Sequence, residues 1–297
     1  MNNEDLIDEH YQIKNKNYDD IQHQHRNEII NKFNIKKNAK VLEIGCGQGN
    51  STYILASKVG EDGLVVGIDI ADEKYGSPMT LGQSLELLLK SKLGKRINIK
   101  LNTNLLNDAI WNEFKKEYTE KFDYIVFMLS SWYIESSDQL KKLFIRLREI
   151  GNILCFADFN PVPIYFENIP HYIAITLQSE LYNIRNIYIG DNNGYNPNIR
   201  SIFTIDKIKE IMIESKWKKI LKESEVETDN LQDGRWEVSE CLSNSFNNYI
   251  EELNIIEDEK IKEKIKNNLY IQLNILKNVK DNIKSVKTLK TFCIIIN

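Results

Sequence analysis

The sequence predicts a doubly wound α/β sheet, and three observations carry that expectation. Short apolar segments alternate with helical patterns between residues 40 and 159, the rhythm of strands laid parallel with crossover helices. The first of them, AKVLEIG, runs directly into a glycine-rich turn, a helix and a second apolar segment, which is a βαβ unit. The chain closes on TFCIIIN, apolar enough to be a strand buried on both faces.

The elements follow in order. Before Lys40, HRNEIINKFNI sets Ile29, Ile30, Phe33 and Ile35 near one helical stripe, a cover helix. After the turn, Tyr53, Ile54 and Val59 share a helix face and Gly60 can end it. LVVGIDI is the second strand, TLGQSLELLLKSKLG a helix, INIKLNT the third strand and FDYIVFMLSS the fourth. DQLKKLFIRLREIG is a helix closing on Gly151, and NILCFADF is the fifth strand. The rhythm then breaks, because residues 160–200 hold four of the five prolines and a dense set of tyrosines. It resumes with a helix capped by Thr204, carrying Ile208, Ile211 and Met212 on one face, and a sixth strand within KKILKESEVE. DGRWEV reads as an ordered loop or edge, and Ile261, Ile265, Leu269, Leu273 and Leu276 recur at helical spacing in one or two amphipathic helices.

Composition narrows the function classes. A chain of 297 residues with formal net charge -4 offers no global attraction to polyphosphate, so no nucleic-acid partner is expected. The opening MNNEDLIDEHYQ is acidic and polar, unlike a cleavable signal, and no run of about 18 apolar residues suits a membrane span. A cytoplasmic protein without a membrane partner is the expectation. The four cysteines are far apart and read as buried thiols rather than a disulfide or zinc framework. His23 and His25 stand two apart, a poor metal pair on a helix, and read as solvated; no metal is expected.

The chemistry concentrates in VLEIGCGQGN. A dinucleotide turn is G-x-G-x-x-G; here Gly45 and Gly47 fit, Asn50 takes the place of the third glycine, and Gly49 comes one residue early. The carboxyl of Glu43 would repel a pyrophosphate, so a ligand positively charged near the turn is favoured. E-x-G-x-G-x-G after an apolar strand resembles the signature of class I S-adenosylmethionine-dependent methyltransferases, of the small-molecule type. Glu43, Gly45, Cys46, Gly47 and Gly49 match it residue by residue.

That resemblance implies a Rossmann-like sheet of seven strands, mostly parallel, whose last strand lies antiparallel between the fifth and sixth. It implies S-adenosyl-L-methionine as cofactor, with the turn at its amino-acid end and Asp69, followed by Ile70, at the ribose. Asn104, or else Thr103, takes the place of the usual acid near the adenine, with Leu105 beside it at the cofactor, and Leu129, Ser130, Trp132 and Tyr133 follow strand four. The implied parts are cover helices (1–39), a cofactor core (40–159), a lid and acceptor insertion (160–200), a helix and strand completing the core (201–228), a loop and helical insertion (229–285) and the final strand (286–297).

The acceptor pocket is assigned to Trp132, Tyr133, His171 and Trp236, with His171 and Tyr133 as candidate catalytic groups; Glu237 and Asp158 are comparable acids at loop ends. Methyl transfer to a small molecule, at oxygen or nitrogen, is the first expectation. An RNA or protein methyltransferase and a non-catalytic binder of the cofactor are the alternatives.

Overall fold

The structure is a computed structural model that describes residues 16–190, 195 and 197–297, with side chains from residue 21 onward. Residues 1–15 of the expected cover region, and 191–194 and 196 of the tyrosine-rich insertion, lie outside the described residues.

Helix α1 (Lys16–Phe33) precedes β1 (Lys40–Ile44), α2 (Asn50–Val59), β2 (Leu64–Ile68), α3 (Leu81–Lys90), β3 (Ile97–Lys100), α4 (Asp108–Glu117) and β4 (Phe122–Met128). Then come α5 (Ser137–Ile150), β5 (Gly151–Phe159), α6 (Ile169–Tyr188), α7 (Ile205–Glu214) and β6 (Ile220–Val226). Helices α8 (Asp233–Cys241), α9 (Asn244–Glu251) and α10 (Glu259–Asp281) lead to β7 (Thr291–Ile296). The sheet has seven strands in the order β3-β2-β1-β4-β5-β7-β6. Strands β1 to β5 are parallel, and β7 runs antiparallel between β5 and β6. This is the predicted fold.

Strand periodicity sorts the core into two layers, since alternate residues point to opposite faces. Leu42 and Ile44 join Phe127, Phe144, Phe156 and Trp217 on the face covered by α4, α5 and α7. Val41 points the other way, to Ile29, Phe33, Tyr53 and Leu88 of α1, α2 and α3. A third cluster, with Leu181, Phe246, Leu269 and Leu276, joins α6 to α8, α9 and α10 as a helical layer of its own. It meets the sheet through Trp132, Phe159, Ile175 and Leu289.

Two local readings are corrected. DGRWEV is not a loop or edge: Asp233 to Cys241 is helical, because Val238 and Cys241 recur one turn apart and bury against α6. His25 is 4% exposed rather than solvated, stacked on Phe159 with ring centroids 6.2 Å apart. All four cysteines are free and buried, and among the described residues no helix is long and apolar enough to cross a membrane.

Candidate active site

A doubly wound sheet opens a crevice where strand order reverses, here between β1 and β4. A cavity of about 820 Å³ lies there. Its wall includes Gly45 to Gln48 from the glycine turn, Asp69 and Ile70 after β2, Asn104 and Leu105 after β3, and Leu129, Ser130 and Tyr133 after β4.

The turn is built by backbone geometry. Gly45 has φ +74°, and a Cβ there would stand 2.9 Å from Ser130 Oγ, so any side chain would push the β1 and β4 loops apart. Ser130 Oγ donates to the carbonyls of Ile44 and Met128, tying those loops together. The Gly47 amide donates to Asp69 Oδ2 at 2.8 Å and the Ala71 amide to Oδ1 at 2.9 Å, so the carboxylate is aimed before any ligand arrives. At Gly47 a Cβ would meet open space on the cavity side. An acid at one end of the wall, bare backbone at the turn, and Ile70, Leu105 and Leu129 beyond them fit a cationic nucleoside.

Gly49 and Glu43 take other parts than the motif alone suggests. Gly49 precedes α2 at φ +81°, and a Cβ would stand 2.5 Å from Leu88, so this glycine lets α2 and α3 pack rather than lining the cavity. Glu43 points away from the cavity toward α2, 2% exposed, and accepts a hydrogen bond from Thr52 Oγ1 at 2.5 Å. Burial raises its carboxyl to about 7, against the opposing hydrogen bond from Thr52.

A carboxyl whose folded pKa lies above its ordinary 4.5 costs stability once both states ionise, so the fold weakens as pH rises from 4.5 through about 7. Glu43→Gln, which mimics the protonated acid, is expected to stabilise the protein by about 3 kcal/mol at pH 8 and to change little at pH 4.5. Urea unfolding at the two pH values reads this directly. Equal effects at both would show that burial does not set this carboxyl's ionisation.

The acceptor-side residues separate more sharply. Tyr133, in the turn Ser131–Tyr133, lies on the wall, and burial raises its phenol so that it holds its proton at neutral pH. Trp132 packs inward between Phe159 and His171, with centroids 5.5 and 6.0 Å away, and supports the wall from behind. His171 is fully buried, and the Leu289 amide donates to its Nδ1 at 2.9 Å. The ring hydrogen therefore sits on Nε2, and burial lowers the pKa to about 3. It is no general base as placed, which corrects that assignment. Trp236 is 54% exposed and does not stand on the wall of this cavity, which corrects its place in the acceptor pocket. Asp158 is buried, accepting from the amide and hydroxyl of Ser131 at 2.9 and 2.6 Å; it caps the loop after β4.

Sequence reasoning passed over Arg26, Gln48, Tyr75 and Arg200, all on the wall. Gln48 lies inside the motif and was open to reading. Arg26 was not, because only packing of α1 across the sheet brings it beside Glu43.

Known proteins point the same way. A methyltransferase-domain family model matches residues 35–75. The structure of a cyclopropane-fatty-acyl-phospholipid synthase-like protein from Lactobacillus casei ATCC 334 is similar at TM-score 0.73 and 28% identity, covering 94% of this chain and 92% of that one. The 4+2 cyclase SpnF is similar at TM-score 0.50 and 10% identity, over 92% and 79% of the two chains, a likeness of fold alone. No curated protein matches the sequence. The strand order, the glycine turn answered by Asp69 and the matched methyltransferase domain together support a class I S-adenosylmethionine-dependent methyltransferase.

Proposed function

We propose that this methyltransferase acts on a small-molecule acceptor, at oxygen or nitrogen, as a cytoplasmic enzyme. The carrying observation is the shape of the cavity: one chamber of about 820 Å³ extends from the glycine turn past Tyr133 to Pro197, Asn198 and Arg200. A cavity of that volume suits a small acceptor, and a nucleic-acid strand would need a long basic groove.

In this reading Asp69 accepts the ribose hydroxyls, and Ile70, Asn104 and Leu105 lie around the base. The amides of the glycine turn face the amino-acid end. When bound, the cofactor supplies an electrophilic methyl carbon on sulfur. The chain's own contribution is to align an acceptor with that carbon and to exclude water, which can supply much of the acceleration of an in-line displacement. Tyr133 gives a hydrogen-bond donor at the edge of the acceptor space. Residues 160–200 and 229–285 are read as the layer that closes over it.

Isothermal titration with S-adenosylmethionine and S-adenosylhomocysteine is expected to give dissociation constants on the order of micromolar, about -8 kcal/mol. Heat from neither would sink the reading. A labelled-methyl assay over a metabolite mixture separates transfer from binding alone, with label in a small-molecule product as the expected result.

A further inference from the structure

Among the described residues three side-chain cations stand on the cavity wall: Arg26, Lys74 and Arg200. Lys74 belongs to the exposed loop after β2, and Arg200 contacts Glu135 at 3.4 Å beyond Tyr133. Arg26 is the one set beside the glycine turn. It shares the wall with Gly45 to Gln48, Asn50 and Ser51, and its charge acts on Glu43 near the end of β1.

Helix α1 explains how a residue so far from the motif in sequence reaches it. Positions 22, 26, 29, 30 and 33 fall on one helical face. Ile29, Ile30 and Phe33 bury in the same cluster as Tyr53 and Ile54 of α2 and Leu88 of α3. One turn earlier the apolar contact ends, and Arg26 continues the same face onto the cavity wall, partly buried. Its Nη1 donates to the carbonyl of Gln22 at 3.2 Å and to Gln22 Oε1 at 3.5 Å. Gln22 Nε2 in turn donates to Asp233 Oδ2 of α8 at 2.8 Å, and His25 pairs with Thr291 of β7 at 2.9 Å. The guanidinium is therefore positioned by packing before a ligand arrives, which spares the ligand that cost.

This cation lacks a full counter-charge. Its hydrogen bonds go to neutral oxygens, and among the described residues no carboxylate forms an ion pair with it. Glu43, whose charge it feels, is raised by burial to about 7 and is engaged by Thr52, so it is only partly ionised at neutral pH. A guanidinium presents a planar fork of N–H donors that matches a carboxylate with two parallel hydrogen bonds.

We propose that Arg26 pairs with the α-carboxylate of the cofactor, which makes α1 a selective part of the binding site and not only a cover. The assignment rests on the reading of the glycine turn as the seat of the amino-acid end. Nucleosides that lack this carboxylate keep their contacts with Asp69, Ile70 and Leu105 but lose the ion pair, so the chain discriminates against them. Because Gln22 and Asp233 hold the guanidinium, the helical layer contributes to cofactor selection without touching the cofactor.

The test titrates the full chain calorimetrically with three ligands: S-adenosylhomocysteine, its decarboxylated analogue with hydrogen in place of the carboxylate, and 5′-methylthioadenosine. S-adenosylhomocysteine is expected to bind about tenfold or more tighter than the decarboxylated analogue, as a charge-assisted hydrogen bond requires. In Arg26→Gln that preference falls to about twofold or less, while 5′-methylthioadenosine binds within about twofold of its affinity for the parent chain. No preference in the parent chain, or a preference that survives the substitution, overturns the assignment. Equal weakening of all three ligands overturns it as well, since that is the mark of an arginine that only supports α1. Failure of S-adenosylhomocysteine to bind the parent chain overturns the underlying reading instead.

Discussion

Asp69→Ala is expected to lower affinity for S-adenosylmethionine by about a hundredfold, roughly the loss of two hydrogen bonds to a charged acceptor. Both oxygens are already oriented by the Gly47 and Ala71 amides, so no freezing of the side chain is left for the ligand to impose. The same two bonds brace the turn, and removing the carboxyl strands two amides at the cavity. Asp69→Asn separates the effects. One amide oxygen keeps a brace, so the melting temperature should fall less than in the alanine variant, while ribose recognition still weakens. Calorimetry and thermal denaturation on the three proteins decide the matter. Undiminished affinity in both variants would remove Asp69 from the site.

A chain ending at Lys290 is expected not to fold. Strand β7 pairs with β5 along one edge and β6 along the other, and all six of its residues are buried. Burial of Phe292 and of the isoleucines at 294, 295 and 296 is worth roughly 1.5–3 kcal/mol each, which together rivals the whole stability of about 5–15 kcal/mol typical of a domain. Removing the strand also exposes the inner edge of β5, a template for aggregation. Circular dichroism and solubility report the outcome. A soluble truncated chain with native near-ultraviolet ellipticity would contradict the central place of this strand.

The cyclase shares the architecture at 10% identity, and its name denotes a reaction that is not methyl transfer. The acceptor question therefore rests on side chains in the chamber and not on the sheet.

Much of the architecture was legible because its signals are local. Alternating strands and helices, Thr204 capping α7 and Gly60 closing α2 each depend on a few neighbouring residues. The antiparallel seventh strand came from resemblance and agrees with the observed pairing. The positions of Asp69, Ile70, Asn104, Leu105 and Ser130 on one wall follow from the loops at the carboxyl ends of β2, β3 and β4. Side-chain direction was less accessible. Glu43 sits in the motif, yet strand alternation turns it toward Thr52 of α2. Gly49 matches the motif too, but Leu88, 39 positions on, explains it. His171 invited a catalytic role until the amide of Leu289 claimed its Nδ1.

The amino-acid order alone set where the strands begin, where the backbone had to be bare and which acid could meet a ribose. These are matters of φ, periodicity and loop length, felt within about a turn of helix or strand. Tertiary packing decided which distant polar groups meet. Gln178 meets Glu237 across 59 positions, His171 meets Leu289 across 118 and Gln22 meets Asp233 across 211. Such contacts form only when the helical layer closes on the sheet, because burial selects one face of each helix and no local pattern encodes which distant face it will oppose.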